Sequence, residues 1–328
     1  MLSAAVLAGP HGTDIGAFQV WANLWAVASL VGVAAIAWRL WGGAAAVIAA
    51  GLYALHDAHL DSMDANYVTW AQLPLVAGVG AALCVPRGAT RRRALAWWLA
   101  AGVLCGLAAL CKQPAGVGAV VTLGLALWPD EGASASRRAR VLAVAGGLVL
   151  AHVPIALQYA AAGELGALWS GYVWNAWGMR YVSHGGEAWG TGAVREGVLA
   201  TAFFVPLPLS LALAAVVPPS DPSRRRQWLG LALWSLGTLA AAWVGFRFYK
   251  GYFLAVAAPL CLMSAAPWGL LGTERLRGWL RSGGARRRVI VRAVHGLVQM
   301  PALVLALRQL AVLELQRADR ARPHDEGG

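Results

Sequence analysis

"AALCVPRGATRRRALAWWLAAGVLCGLAALCKQPAG", residues 81–116, is the stretch that decides the fold. Four arginines (Arg87, Arg91, Arg92, Arg93) are followed by the charge-free run 94–111, then by Lys112 and Pro114. A run of that length is close to the roughly 20 apolar residues an α-helix needs to cross a bilayer. Inside hydrocarbon the backbone must satisfy its own hydrogen bonds, so such a run is read as a helix. The arginines mark one membrane face and Pro114 opens the next segment.

The same grammar extends in both directions. Hydrophobic residues make up 59% of the chain and charged ones 13%, against about 25% charge in soluble domains. Strict apolar/polar alternation, the mark of a transmembrane barrel, is absent. The expected fold is all-α, a polytopic helical membrane protein with about nine transmembrane helices plus surface amphipathic helices. The spans are read at 17–37, 43–56, 67–86, 94–111, 114–128, 140–161, 195–217, 227–245 and 252–271. The second and fifth are short for a full crossing.

Lysine and arginine are distributed unevenly between successive loops. Arg39 follows the first span, and 57–66 has no cation. Arg87, Arg91, Arg92 and Arg93 come next, then Lys112 alone, then Arg137, Arg138 and Arg140. Only Arg180 falls in 162–194; Arg224, Arg225 and Arg226 follow, then Arg247 and Lys250, then six arginines in 272–288. Rich and poor loops alternate, and cation-rich loops stay in the cytoplasm. This puts 57–66, 112–113, 162–194, 246–251 and the N-terminus outside a cytoplasmic (inner) membrane. Residues 1–271 form the membrane domain. Residues 272–328 form a cytoplasmic basic segment, with an amphipathic surface helix over 289–310 and a disordered tail.

The net charge of +12 therefore belongs to loops facing anionic lipid and not to a nucleic-acid platform. Cys84, Cys105, Cys111 and Cys261 lie in or at the ends of apolar runs without metal-type spacing, as small buried side chains do. "MLSAAVLAGPHG" lacks the basic start and long apolar core of a signal peptide.

Charge in the external loops is where chemistry is sought. "LYALHDAHLDSMDANYVTW", residues 52–70, packs His56, Asp57, His59, Asp61 and Asp64 together. On a helix the three aspartates share one face. Three readings stay open: a wet acidic turn, a general base toward an acceptor hydroxyl, or a holder of a divalent cation. Lys112 in "GLAALCKQPAG" either snorkels to the headgroups or meets a lipid phosphate as a point charge. In "GFRFYKGYFLAVAAP" Arg247 and Lys250 alternate with Phe248, Tyr249, Tyr252 and Phe253, an interfacial belt or a cradle for an anionic headgroup. In the long loop, Trp169, Val173, Trp177 and Tyr181 recur every four residues and predict a helix lying on the outer surface, with Arg180 beside it. Asp57, Asp61 and Asp64 are the catalytic candidates. Asn66, Lys112, Arg180, Tyr181, Arg247, Tyr249, Lys250 and Tyr252 are the substrate-binding candidates.

"AWRLWGGAAAVIAAGLYAL", "GLAALCKQPA", "LWSGYVWNAWGMRYV" and "GFRFYKGYFLAVAAPLCLMSA" resemble, in this order, motifs of bacterial GT-C membrane glycosyltransferases. The nearest type is the dolichyl-phosphate-mannose-protein mannosyltransferase-like group, over about residues 9 to 271. The resemblance implies sugar transfer from a polyprenyl-phosphate donor on the outer face, with inversion and no nucleotide sugar. It implies that Lys112, Arg247 and Tyr252 face the donor phosphate and that the acidic loop lies near a glycan, lipid or protein acceptor. Two departures stand out. Gly251 occupies the place of the family's histidine before its Tyr-Phe pair. The chain also begins directly before what resembles the family's second span, so the first external loop with its catalytic aspartate is reduced to "AGPHGTD". The expectation is therefore an N-terminally incomplete or inactive member. The rival functions are a transporter or flippase for a lipid or small anion, and a non-catalytic membrane subunit. Midspan polar residues such as Asn23 and His152 are few, which counts against transport.

Overall fold

The computed structural model describes residues 15–59, 67–129, 133–174, 222–243 and 253–271. Every regular element among them is helical. We number them α1 (Ile15–Trp41), α2 (Gly43–His59), α3 (Tyr67–Leu83), α4 (Arg91–Cys111), α5 (Val117–Leu127), α6 (Arg137–Ala161), α7 (Leu165–Leu168), α8 (Pro222–Trp243) and α9 (Leu254–Leu271). A 3-10 turn, Gln113–Gly116, precedes α5, and a π-helical turn, Trp169–Trp174, follows α7.

Three helices are long and apolar enough to cross a membrane, Gln19–Trp41, Arg91–Cys111 and Arg137–Ala161. Shorter apolar helices cover Gly43–His56, Val68–Leu83, Pro114–Leu127 and Leu254–Ala266. Together they make an all-α membrane protein. Eight of the nine expected spans coincide with a described helix, and 195–217 lies outside the described residues.

The helix ends differ from the expected ones for local reasons. Thr90 and Ser136 are N-caps, their hydroxyls accepting from the backbone N–H of Arg93 and Ala139. This draws the arginines of "TRRR" and "SRRAR" into the first turns of α4 and α6. Cations there oppose the helix dipole, so loop charge has been placed against local helix preference. The third span stops at Leu83 and not at residue 86, because Pro86 disfavours helical geometry at Val85. Between α1 and α2 a single residue, Gly42, reverses the chain with φ 96°, a value side chains rarely adopt. The fifth span is one 3-10 turn plus an 11-residue helix, about 24 Å in all, short of the roughly 30 Å hydrocarbon core.

Association in lipid relies on close packing and not on hydrophobic exclusion, so small residues mark the interfaces. Gly102 and Gly106 of α4 sit four apart and face Gly147 and Ala151 of α6. A Cβ on Gly102 would press into the Val144 carbonyl, and one on Gly147 into the Leu99 carbonyl. The buried centre holds Trp98, Trp234, Tyr53 and Phe253. Val31, Trp38, Val47, Val120, Leu142, Val149 and Leu157 are exposed, as befits helices that turn their outer faces to lipid.

The helices alternate in direction from α1 to α6, and again between α8 and α9. One end gathers Arg39, Arg87, Arg140, Arg224 and Arg226 around a common cavity. The other gathers Val68 at the start of α3, Lys112 at the end of α4, Thr238 to Ala242 at the end of α8, and Ala255 near the start of α9. Among the described residues, the cavity arginines and Lys112 thus lie at opposite ends of the bundle.

Candidate functional site

Lys112 is the only lysine or arginine at the arginine-poor end among the described residues. It ends α4 in an extended conformation (φ −154°, ψ 120°), its N–H donating to the Ala108 carbonyl. Its own carbonyl accepts from the N–H of Ala115 at 2.9 Å. Pro114 has no N–H to continue the α4 ladder, so the chain breaks at Lys112 and restarts in the 3-10 turn. The break carries the ammonium stem into a half-buried position against α3, α8 and α9. Burial pushes the Lys112 ammonium down from 10.5 to about 8, because a cation loses hydration there.

The cavity beside Lys112 is about 30 Å³, lined also by Ala71, Gln72, Thr238 and Ala242. It is the size of a single water. Gln72 is 2% exposed; its Nε2 donates to the Leu254 carbonyl at 3.1 Å, while its Oε1 accepts no hydrogen bond among the described residues. Gln72 thereby ties α3 to the first turn of α9. Thr238 bonds to its own helix instead, its hydroxyl shared between the carbonyls of Trp234 and Ser235 at 2.8 and 3.1 Å. Gln72 escaped the sequence reading, although an amide alone in the apolar run 67–83 was the available signal. A polar side chain in a membrane helix needs a partner.

The acidic stretch divides at the end of α2. His56 is buried (5% exposed), and its Nδ1 donates to the Leu52 carbonyl at 2.8 Å. That nitrogen therefore serves the helix's own backbone. Asp57 and His59 continue α2, and nothing is described of their side chains. Asp61, Asp64 and Asn66 lie outside the described residues, as do Arg180, Tyr181, Arg247, Tyr249, Lys250 and Tyr252. Among the described residues no three His, Cys, Asp or Glu side chains converge.

In the long loop the expected surface helix begins as α7 and widens into the π-turn Trp169–Trp174; Trp177 and Tyr181 lie outside the described residues. Trp169 is largely exposed. Cys84, Cys105, Cys111 and Cys261 are free thiols, and Cys105 and Cys261 are buried, in keeping with the packing role expected of them.

Residues 7–157 match the family model of dolichyl-phosphate-mannose-protein mannosyltransferase. The match supports a GT-C mannosyltransferase-like family. It covers α1 to α5 and most of α6, and so includes both Lys112 and Gln72. No curated protein and no solved structure matches the chain. With the apolar helices, the family match supports a membrane glycosyltransferase of GT-C type.

Proposed function

We propose that the protein transfers a sugar from a polyprenyl-phosphate-linked donor to a hydroxyl acceptor, and that the reaction takes place at the arginine-poor end, outside the cytoplasmic membrane. The observation that carries this reading is Lys112. It is a cation placed at a helix break, half-withdrawn from water, at the end of the bundle where the other described arginines are not. An orientation signal would put it at the opposite end, with the arginines. A phosphate would repay its desolvation with a short charge-assisted hydrogen bond.

Three of the remaining candidates are close in sequence to residues that line the cavity at Lys112. Asn66 is two residues from Val68, Tyr252 three from Ala255, and Arg247 five from Ala242, and all three partners line the cavity at Lys112. In the proposed step the acceptor oxygen attacks the anomeric carbon in line with the phosphate. The carbon–oxygen bond to phosphate breaks and configuration inverts. The phosphate leaves as an anion held by Lys112 and Arg247, so no general acid is needed. The acceptor proton passes to a carboxylate, for which Asp57, Asp61 and Asp64 are the candidates. Asn66, Arg180, Tyr181, Tyr249, Lys250 and Tyr252 would position the lipid-linked donor and the glycan, lipid or protein acceptor.

The test is sugar transfer from a radiolabelled polyprenyl-phosphate mannose in membranes that contain the full chain, scored as release of polyprenyl phosphate. Lys112→Met is expected to remove release while leaving the amount of folded protein unchanged. Release at the wild-type rate from the Lys112→Met protein would sink the phosphate role of this lysine.

A further inference from the structure

A groove of about 730 Å³ runs between α1, α3 and α4. Helix α1 lines it with Gly32, Ala35, Ile36 and Arg39, the spacing of one helical face. Helix α3 contributes Ala77, Gly80 and Ala81 in the same register, and α4 contributes Arg93, Ala96, Trp97, Ala100 and Leu104. A Cβ on Gly80 would press into the Ile36 side chain, so α1 and α3 meet closely there and form a floor. One side is open, where Ala35, Ala96 and Ala100 are exposed. Elsewhere the outer faces of α1 and α6 carry Val27, Val31, Val149 and Leu157, which stand out from the helix. Here small side chains leave a concave strip.

The lining is graded along the membrane normal. Arg39 ends α1 and Arg93 begins α4, so both cations stand at the arginine-rich end. From Arg39 back to Gly32 is about 10 Å of helix, and from Arg93 on to Leu104 about 16 Å. The hydrocarbon of one leaflet is about 15 Å deep, half of a core of roughly 30 Å. The groove therefore runs from headgroup depth to the middle of the bilayer. Trp97, one turn past Arg93, is half-buried at the interfacial level that indoles favour. We propose that this groove binds one anionic phospholipid of the leaflet on the arginine-rich side, its phosphate between Arg39 and Arg93 and an acyl chain laid along the alanines. Guanidinium forks match phosphate oxygens, and basic sites between membrane helices take anionic headgroups. The acyl chain gains close van der Waals contact where small residues let it approach the backbone. An orientation signal accounts for arginines in the loops, but not for an apolar channel of one leaflet's depth beneath two of them. The inference uses neither Lys112 nor the sugar-transfer reading.

The full chain, purified in mild detergent, is placed in nanodiscs of phosphatidylcholine with a graded fraction of phosphatidylglycerol. Melting temperature is read, and native mass spectrometry counts the lipid retained. The expected result is saturable stabilisation with one phosphatidylglycerol held per chain, preferred over phosphatidylcholine by about tenfold or more. Arg39→Gln/Arg93→Gln should remove most of that preference. Arg91→Gln/Arg92→Gln, the same charge removed from positions that do not line the groove, should change it by no more than about twofold. Ala96→Leu/Ala100→Phe fills the groove from exposed positions, leaves the core untouched, and should abolish retention of either lipid. Retention unchanged in the filled variant, equal losses in the two arginine pairs, or no preference for the anionic lipid would overturn the proposal. A wild-type dimer that the filled variant turns into a monomer would overturn it in favour of a second copy. Retention of no lipid by the wild type would overturn it in favour of cover by another part of the chain.

Discussion

The two ends of the bundle treat positive charge in opposite ways. At one end five arginines, from α1, α6, α8 and the segment after α3, line a cavity of about 920 Å³. At the other, the one lysine among the described residues adjoins a space of about 30 Å³ and an amide that fastens two helices together. Charge count alone would rank the arginine-rich end as the more important. Position ranks them differently, because cations are expected at a cytoplasmic end and a half-buried one is unexpected at the other. The lesson is that a charge carries functional information in proportion to how poorly topology accounts for it.

The largest effect comes from breaking what joins the two ends. Helices α4 and α6 both run the length of the bundle and meet at Gly102, Gly106, Gly147 and Ala151. Gly102→Leu would drive a side chain into the backbone of α6 around Val144, and backbone cannot yield as a side chain does. The expected result is loss of more than about 4 kcal/mol, the range reserved for severe overpacking and strain, read as little or no folded protein in detergent. Gly124→Leu is the control, since a Cβ there meets nothing within 4 Å, and it should be recovered at wild-type yield. Equal recovery of the two variants would mean that α4 and α6 are farther apart.

Second in size is a pair of charge removals, one at each end. Lys112→Met should weaken a polyprenyl-phosphate donor analogue by about 10- to 100-fold, the worth of one charge-assisted hydrogen bond. Arg39→Gln/Arg224→Gln, which removes two exposed cations at the opposite end, should leave that affinity within about twofold. A larger loss in the arginine variant would show that the ends are not independent.

How much of this was legible beforehand follows from the physics of each signal. Span positions were readable because the bilayer demands long apolar runs, and among the described residues the charge count set Lys112 apart from the arginines. Convergence was not readable. Arg140 and Arg226 reach the same indole although 86 positions separate them in sequence, and loop counting gives each arginine equal weight. Lys112 was singled out from its place at a helix end before Pro114, but its depth depends on how far the 3-10 turn and short α5 reach. His56 was grouped with the aspartates by sequence proximity; the structure turns it back onto its own helix, because one residue of rotation decides which face a side chain takes. Gln72 was missed because its partner, the Leu254 carbonyl, is 182 residues away.

Third in size is the pH response, for which Lys112 gives a sign. Burial holds its ammonium near 8 instead of 10.5. Below about 8 it is protonated in both folded and unfolded chains, and the full burial cost is present. Between about 8 and 10.5 the folded protein binds fewer protons at this position than the unfolded chain, so stability rises with pH there. Donor binding runs the other way, since the phosphate needs the cation. Affinity should fall about tenfold per pH unit above 8, with a proton taken up on binding near that pH. Lys112→Arg keeps its charge and should flatten the profile even if its affinity at pH 7 is lower. A wild-type profile flat to pH 10 would mean that the ammonium is not the group that meets the donor.

The smallest effect belongs to Gln72, and it separates the scaffold of the lysine end from its chemistry. Gln72→Met fills similar volume but cannot donate to the Leu254 carbonyl, so the bond from α3 to α9 is lost at a net cost of about 0.5–1.5 kcal/mol. The expected readout is a lower melting temperature. Leu254 begins α9 directly after the stretch that carries Arg247 and Tyr252, so loosening it should raise the donor KM about two- to fivefold, the equivalent of about 1 kcal/mol or less. Turnover at saturating donor should stay near wild type, because Gln72 would hold the helix and not the reacting atoms. A loss of kcat as large as that of Lys112→Met would place Gln72 against the substrate itself. A wild-type melting temperature would show that the bond from α3 to α9 contributes nothing to holding this end together.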